Sequence, residues 1–127
     1  MRISRKPGEN AFVRVLIVDD HPSFRASARS LLEAEGYEVV GEAADGAEAL
    51  RAADELRPDW VLLDVQLPDI DGFEVARRLA GSEHPPKVVL TSSRDGADYG
   101  TCIAESRARG FVPKADLSGT ALTLLLG

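Results

Sequence analysis

The chain has 127 residues, 44% of them hydrophobic, which makes one domain of ordinary size around a single packed core. A formal net charge of −6 argues against a nucleic-acid surface, where a basic face is expected. The one cysteine, Cys102, excludes an internal disulfide and any Cys-rich zinc site, and suits the cytosol.

Residues 1–10 are polar, contain Pro7-Gly8 and read as a loose N-terminal tail, leaving residues 11–127 as the domain. Arg2, Arg5 and Lys6 imitate the start of a leader. The apolar run behind them, Ala11–Val18, holds Arg14 and ends in Asp19-Asp20 without a small-residue cleavage site, so no signal peptide is expected. No run approaches the roughly 20 apolar residues of a membrane span.

Val13–Val18 has the length and β-branching of a first strand. Asp19-Asp20-His21-Pro22 ends it, and Pro22 fits a helix's first turn. Phe24, Ala28, Leu31 and Leu32 then recur at helical spacing, and Gly36 is a natural stop. Tyr37–Val40 reads as the second strand. Asp45-Gly46 turns into a helix over Ala47, Leu50, Ala53 and Leu56, and Arg57-Pro58-Asp59 closes it. Trp60–Leu63 is a third strand, free of charge, that runs into Asp64. A helix from about Gly72 carries Phe73, Ala76 and Leu79 and ends at Gly81. Val88–Leu90 is a fourth strand. The stretch from Asp95 to Arg109 is helix-like but weak, because Gly96 and Gly100 lie in it. Gly110–Pro113 is a short fifth strand, and Asp116 or Ser118 caps a last helix over Leu117, Leu122 and Leu124–Leu126. Five apolar strands alternating with helices predict a doubly wound parallel α/β sheet covered on both faces.

In such a sheet the strands' C-terminal ends share one edge, where ligands bind. Asp19, Asp20, Asp64, Thr91 and Lys114 each stand at or just past such an end. Three acids converging there repel one another unless a cation lies between them. With no Cys or His cluster beside them, an all-oxygen set points to magnesium, or manganese. Capping of the helix near Pro22 is an alternative task for one of Asp19 and Asp20. Asp64 is expected to attack phosphorus and carry an aspartyl phosphate. Lys114 would neutralise a phosphoryl oxygen. Thr91 would offer its hydroxyl to another, and Ser92 its N–H and a small side chain. Taken singly, the alternatives are a solvated strand-end acid for Asp64, a solvated surface lysine for Lys114 and, for Thr91, a hydroxyl satisfied by backbone, which is the stronger reading of Thr91 alone.

In this order, Asp19-Asp20, Asp64 in Leu-Leu-Asp-Val-Gln-Leu-Pro-Asp-Ile-Asp-Gly, Thr91 and Lys114 resemble the receiver domain of bacterial two-component response regulators over about Val13–Leu126. Asp-Asp-His-Pro-Ser-Phe-Arg and Gly-Phe-Val-Pro-Lys-Ala are most similar to receivers that often carry a helix-turn-helix output domain. The resemblance implies a flavodoxin-like (βα)5 fold with strand order 2-1-3-4-5. It implies a cytoplasmic phosphoacceptor in a phosphorelay, not an enzyme. Asp64 would be phosphorylated by a sensor histidine kinase or histidine phosphotransfer protein. Asp20 would bind Mg2+ directly and Asp19 mostly through water, with Asp64 and the Gln66 carbonyl completing the ligands. Thr91 and Phe111 would form the switch, and Gln66 and Ser93 would tune the phosphoryl lifetime. Phe111, lacking a hydroxyl, would pack inward, leaving Asp95–Arg109 for readout, with Tyr99 facing a partner or, with Cys102, partly filling the core. Output would pass through a protein partner or a homodimer, not nucleic acid or membrane. Ala115 follows Lys114 where many members of the family carry a cis proline, and a cis Lys-Ala bond would cost about 3 kcal/mol. The alternatives are a pseudo-receiver that only binds protein and a magnesium-dependent phosphohydrolase. The latter's nucleophile spacing is not met by Asp19-Asp20-His21-Pro22.

Overall fold

The computed structural model describes residues 12–126; the expected N-terminal tail, residues 1–10, lies outside them. Five strands, β1 (Arg14–Val18), β2 (Glu38–Ala43), β3 (Trp60–Asp64), β4 (Lys87–Ser92) and β5 (Gly110–Pro113), form one sheet in the order β2-β1-β3-β4-β5. Every pairing is parallel, as the alternation of strands and helices requires. The helices are α1 (Pro22–Ala34), α2 (Gly46–Leu56), α3 (Gly72–Ala80), α4 (Cys102–Glu105) and α5 (Gly119–Leu126).

Side-chain alternation along the strands builds two cores. Leu16, Val18, Val61, Leu63 and Leu90 face α2 and α3, whose Ala49, Ala53, Val75, Ala76 and Leu79 are buried against them. Val15, Ile17, Leu62, Val89 and Val112 face the other way, onto Ala28 and Leu32 of α1 and Leu122 of α5. Both faces are covered, so the strands need no polar side. Trp60 opens β3 at 5% exposure, with the Lys87 ammonium 5.5 Å and the Arg109 guanidinium 5.9 Å from its ring centre.

Local chemistry fixes the helix ends. Asp45 accepts from the Glu48 N–H at 2.8 Å while Glu48 accepts from the Ala44 N–H at 2.7 Å, a reciprocal cap at the start of α2. Asp71 caps α3 through the Glu74 N–H. Of the two caps expected for α5, Ser118 is the one used, accepting from the Ala121 N–H at 3.1 Å.

Three expectations need correction. The second strand runs on through Gly41 and Glu42 to Ala43, because a register shift opposite Val15 and Leu16 keeps those residues paired with β1. The Asp95–Arg109 stretch is not one weak helix. It is a 3-10 turn over Gly96–Tyr99 and a single helical turn, α4. Cys102 is exposed and takes no part in the core.

Candidate acidic pocket at the carboxyl edge of the sheet

Parallel register assembles the site. Val18 pairs with Leu63, so Asp19 follows β1 beside Asp64 at the end of β3. Asp64 pairs with Thr91, and Thr91 with Val112. Ser92 pairs with Pro113, which places Lys114 just past the last strand on the same edge. Residues spread over most of the chain thus meet within a few ångströms.

The Lys114 ammonium lies 2.7 Å from Asp19 Oδ2 and 3.3 Å from Asp64 Oδ2. It also stands 4.4 Å from the ring centre of Phe24 on α1. Asp19 and Asp64 are buried, at 0% and 2% exposure, whereas Asp20 is on the surface. Asp64 Oδ1 accepts from the Gln66 N–H at 3.1 Å. Arg25 donates to the Asp19 carbonyl at 2.6 Å and to Glu42 at 2.9 Å, which ties α1 to the ends of β1 and β2.

Burial pushes the Asp64 carboxyl up to about 6, against the pull of the Gln66 N–H; the Asp19 charge adds to the rise and Lys114 opposes it. Burial works against the Lys114 ammonium too, but Asp19 and Asp64 outweigh it and hold Lys114 above its ordinary value. The pocket therefore keeps its cation and resists its own central anion.

Ligand atoms of Asp19, Asp20, His21 and Asp64 all lie within 4.8 Å of one another. Asp19 Oδ2 is buried and receives no aligned hydrogen bond, despite the ammonium beside it. Lys114 pairs with two of the three carboxylates, which leaves negative charge for a divalent cation, so the residues fit the metal that the sequence implies. His21 stands beside the expected all-oxygen set. Its Nδ1 is 3.1 Å from both Asp19 Oδ1 and Asp20 Oδ1, and its N–H donates to Asp19 at 2.8 Å. His21 was read only as part of a strand terminator; its position next to two acids and before a helix-starting proline was the available signal.

The remaining sequence candidates sit as follows. Thr91 is buried and its hydroxyl donates to the Val112 carbonyl at 2.7 Å, not to Asp64. Ser92 is buried beside it. Gln66 and Ser93 are exposed on the rim. Phe111 is half-buried, packed inward as expected, with its ring over Gly96. All peptide bonds of the described residues are trans, that between Lys114 and Ala115 included.

Sequence reasoning missed a clasp in the loop that follows Asp64. Asp69 accepts from the N–H groups of Gly46, at 2.8 Å, and Ala47, at 2.9 Å, joining the β3–α3 loop to the start of α2. These donors, Gly46 first, hold its carboxyl down at about 2. Asp69→Ala is expected to speed amide exchange at Gly46 and Ala47 and to loosen residues 66–71; unchanged exchange at those two amides would show the clasp to be idle.

The response regulator receiver domain family model matches residues 15–121. The chain belongs to the response regulator receiver family. The receiver is 40% identical to the response regulator GacA of Pseudomonas viridiflava over 103 residues, covering 80% of this chain and 48% of that protein. It is 40% identical over 111 residues to a protein-glutamate methylesterase/protein-glutamine glutaminase of Alkalilimnicola ehrlichii, covering 84% of this chain but 28% of that enzyme. The receiver spans about half the length of the first curated relatives it matches. Among solved structures it resembles the receiver domain of the response regulator NarL from Mycobacterium tuberculosis, with a TM-score of 0.76 at 34% identity, covering 93% and 99% of the two chains. A LuxR-family response regulator from an Aurantimonas species gives a TM-score of 0.80 at 33% identity, covering 92% and 87%. Among the described residues, no helix is long and apolar enough to cross a membrane.

Proposed function

We propose that this receiver takes a phosphoryl group onto Asp64 from a phosphohistidine of a sensor kinase or phosphotransfer protein. The observation that carries the reading is the placement of a buried carboxylate beside the Lys114 ammonium at the carboxyl edge of the sheet, with Asp19, Asp20 and His21 around it. An Asp64 oxygen attacks phosphorus, the P–N bond breaks, and the imidazole leaves with its electron pair, to be protonated. Lys114 neutralises one phosphoryl oxygen. The Ser92 N–H faces a second, and the Thr91 hydroxyl reaches another once it turns from the Val112 carbonyl. Asp20, Asp64 and the Gln66 carbonyl, with Asp19 through water, would hold Mg2+ or Mn2+. When bound, the metal offsets the negative charge that gathers as carboxylate and phosphoryl approach.

Thr91 and Phe111 form the switch in this reading, and Gln66 and Ser93 are the side chains past which water reaches the phosphoryl group. Neither is an acid or base placed to activate that water strongly, so the phosphoryl lifetime is not especially short. The receiver works in the cytoplasm as a signalling module and acts on a protein partner or on a second copy of itself. Several relatives are named as regulators of transcription, which favours output to a transcriptional apparatus outside this domain.

The experiment is intact-mass measurement after incubation with acetyl phosphate and Mg2+. One phosphoryl group per chain is expected, and none in EDTA; an unlabelled chain with Mg2+ present would overturn the reading. Asp20→Asn is expected to weaken Mg2+ binding by about tenfold or more, since it removes a direct charged ligand. Titration calorimetry that found equal affinity would remove Asp20 from the ligand set.

A further inference from the structure

Phe111 has no hydroxyl, so the aromatic of the last strand carries no polar group able to follow Thr91. A hydroxyl reaches the same place from elsewhere. Tyr99, at the end of the 3-10 turn, has its phenol oxygen 2.5 Å from Ser92 Oγ. Ser92 is fully buried, follows Thr91 directly, and its Oγ also accepts from the Arg94 N–H at 3.1 Å. The Tyr99 ring stands edge-on to Phe73, at 5.3 Å, and to Phe111, at 5.9 Å. One half-buried side chain therefore touches the end of β4, the first turn of α3 behind Asp64, and β5.

Besides Tyr99, Ile103 is the side chain of residues 96–105 that packs on the core. The 3-10 turn and α4 contain no fully buried residue. Between them Gly100 takes φ +58° and ψ −126°, a conformation that side-chain-bearing residues avoid, with open space around it.

We infer that the hydroxyl pair of Ser92 and Tyr99 couples occupancy of the Asp64 rim to the seating of residues 96–105, with Tyr99 a positioning residue that acts through Ser92. This rests on the acceptor reading above. A phosphoryl group on Asp64 draws on the two donors at the end of β4, the Thr91 hydroxyl and the Ser92 N–H. Turning Thr91 from Val112 and pulling the Ser92 main chain to the rim moves Ser92 Oγ, while the Tyr99 ring stays wedged between two phenylalanines. A 2.5 Å contact loses its hydrogen bond within about 1 Å of such movement. With that bond gone the ring keeps only its edge contacts to Phe73 and Phe111, so the 3-10 turn opens more often, which loosens the surface around Ala97, Asp98 and Thr101.

Hydrogen exchange of the full chain, with and without beryllofluoride plus Mg2+, tests the coupling. In wild type the mimic is expected to speed exchange in residues 96–105 by about three- to tenfold, as loss of one net hydrogen bond does. Tyr99→Phe keeps the ring and should show that faster exchange without the mimic, which then adds little. Ser92→Ala should do the same, and the double variant should match either single one. A Tyr99→Phe protein that exchanges like wild type in both states overturns the inference. So does one that speeds exchange by the same factor in both states, the mark of a merely structural residue. Acetyl phosphate labelling run in parallel separates the two readings. An unlabelled wild type sinks the acceptor assignment, whereas labelling of Asp64 with no response in residues 96–105 sinks the coupling alone.

Discussion

Asp64→Asn is expected to abolish labelling by a phosphodonor and, in the same protein, to raise stability at pH 7. The loss follows from chemistry, since an amide oxygen is too weak a nucleophile to form the acyl phosphate. The gain follows from linkage. The Asp64 carboxyl titrates at about 6 in the fold, against 3.8 for an ordinary aspartate. Between those values the folded chain binds more protons than the unfolded one, so stability falls as pH rises from about 4 to about 6 and stays reduced above. That difference corresponds to about 2–3 kcal/mol held in the ionised carboxylate. Asparagine removes the charge and keeps an oxygen for the Gln66 N–H. Lys114 loses one partner but retains Asp19 at 2.7 Å, so a net gain of about 1–2 kcal/mol remains. Thermal melts in EDTA should show the variant above wild type at pH 7 and level with it near pH 4. A variant that melts below wild type at pH 7, or keeps its advantage at pH 4, contradicts this account.

Gly72→Ala is expected to be the most damaging single methyl in the domain. A Cβ at Gly72 would press on the Asp64 carbonyl oxygen and stand 2.7 Å from Val65 Cα, with the Asp64 carbonyl carbon at 3.0 Å. Every obstacle is backbone, so no rotamer change relieves it. The Gly72 N–H donates to the Val65 carbonyl at 2.7 Å, which holds the start of α3 hard against the end of the acceptor strand. Alanine must push α3 away from Asp64 or distort β3. The expected cost is about 3 kcal/mol or more, at the upper end for overpacking, together with slower labelling. Gly81→Ala is the control, because its Cβ would meet nothing nearer than 3.7 Å. Urea denaturation measures both. A Gly72→Ala protein as stable as Gly81→Ala would show that the close approach does not constrain the site.

The sheet was legible in the sequence because its strands are short β-branched runs bounded by Gly, Pro and Asp, a pattern set by burial on both faces. Asp19, Asp64, Thr91 and Lys114 were legible for a related reason: each follows an apolar run directly, and parallel topology brings such positions to one edge. Contacts that depend on how a loop folds back were not. The Asp69 clasp needs the β3–α3 loop to return to α2, and nothing in its Pro-Asp-Ile-Asp run distinguishes Asp69 from a solvated turn residue. The bond between Ser92 and Tyr99 needs the chain to turn at Gly96, and the glycines that weakened the helical pattern there gave no sign of where Tyr99 would point. Glu38–Ala43 looked shorter than it is because Gly41 and Glu42 resemble a turn, whereas Glu42 is recruited by Arg25 and Arg29.

Trp60, with the Lys87 and Arg109 cations near its ring, is the chain's one tryptophan and opens the strand that Asp64 closes. Four residues of extended chain separate indole and acceptor by about 13 Å. Its emission is therefore a gauge of whether β4 and the entrance to β5 remain docked, and is insulated from events at the acidic rim. Optical detection of signalling by this domain calls for a dye at the opposite pole, where Cys102 offers the exposed thiol.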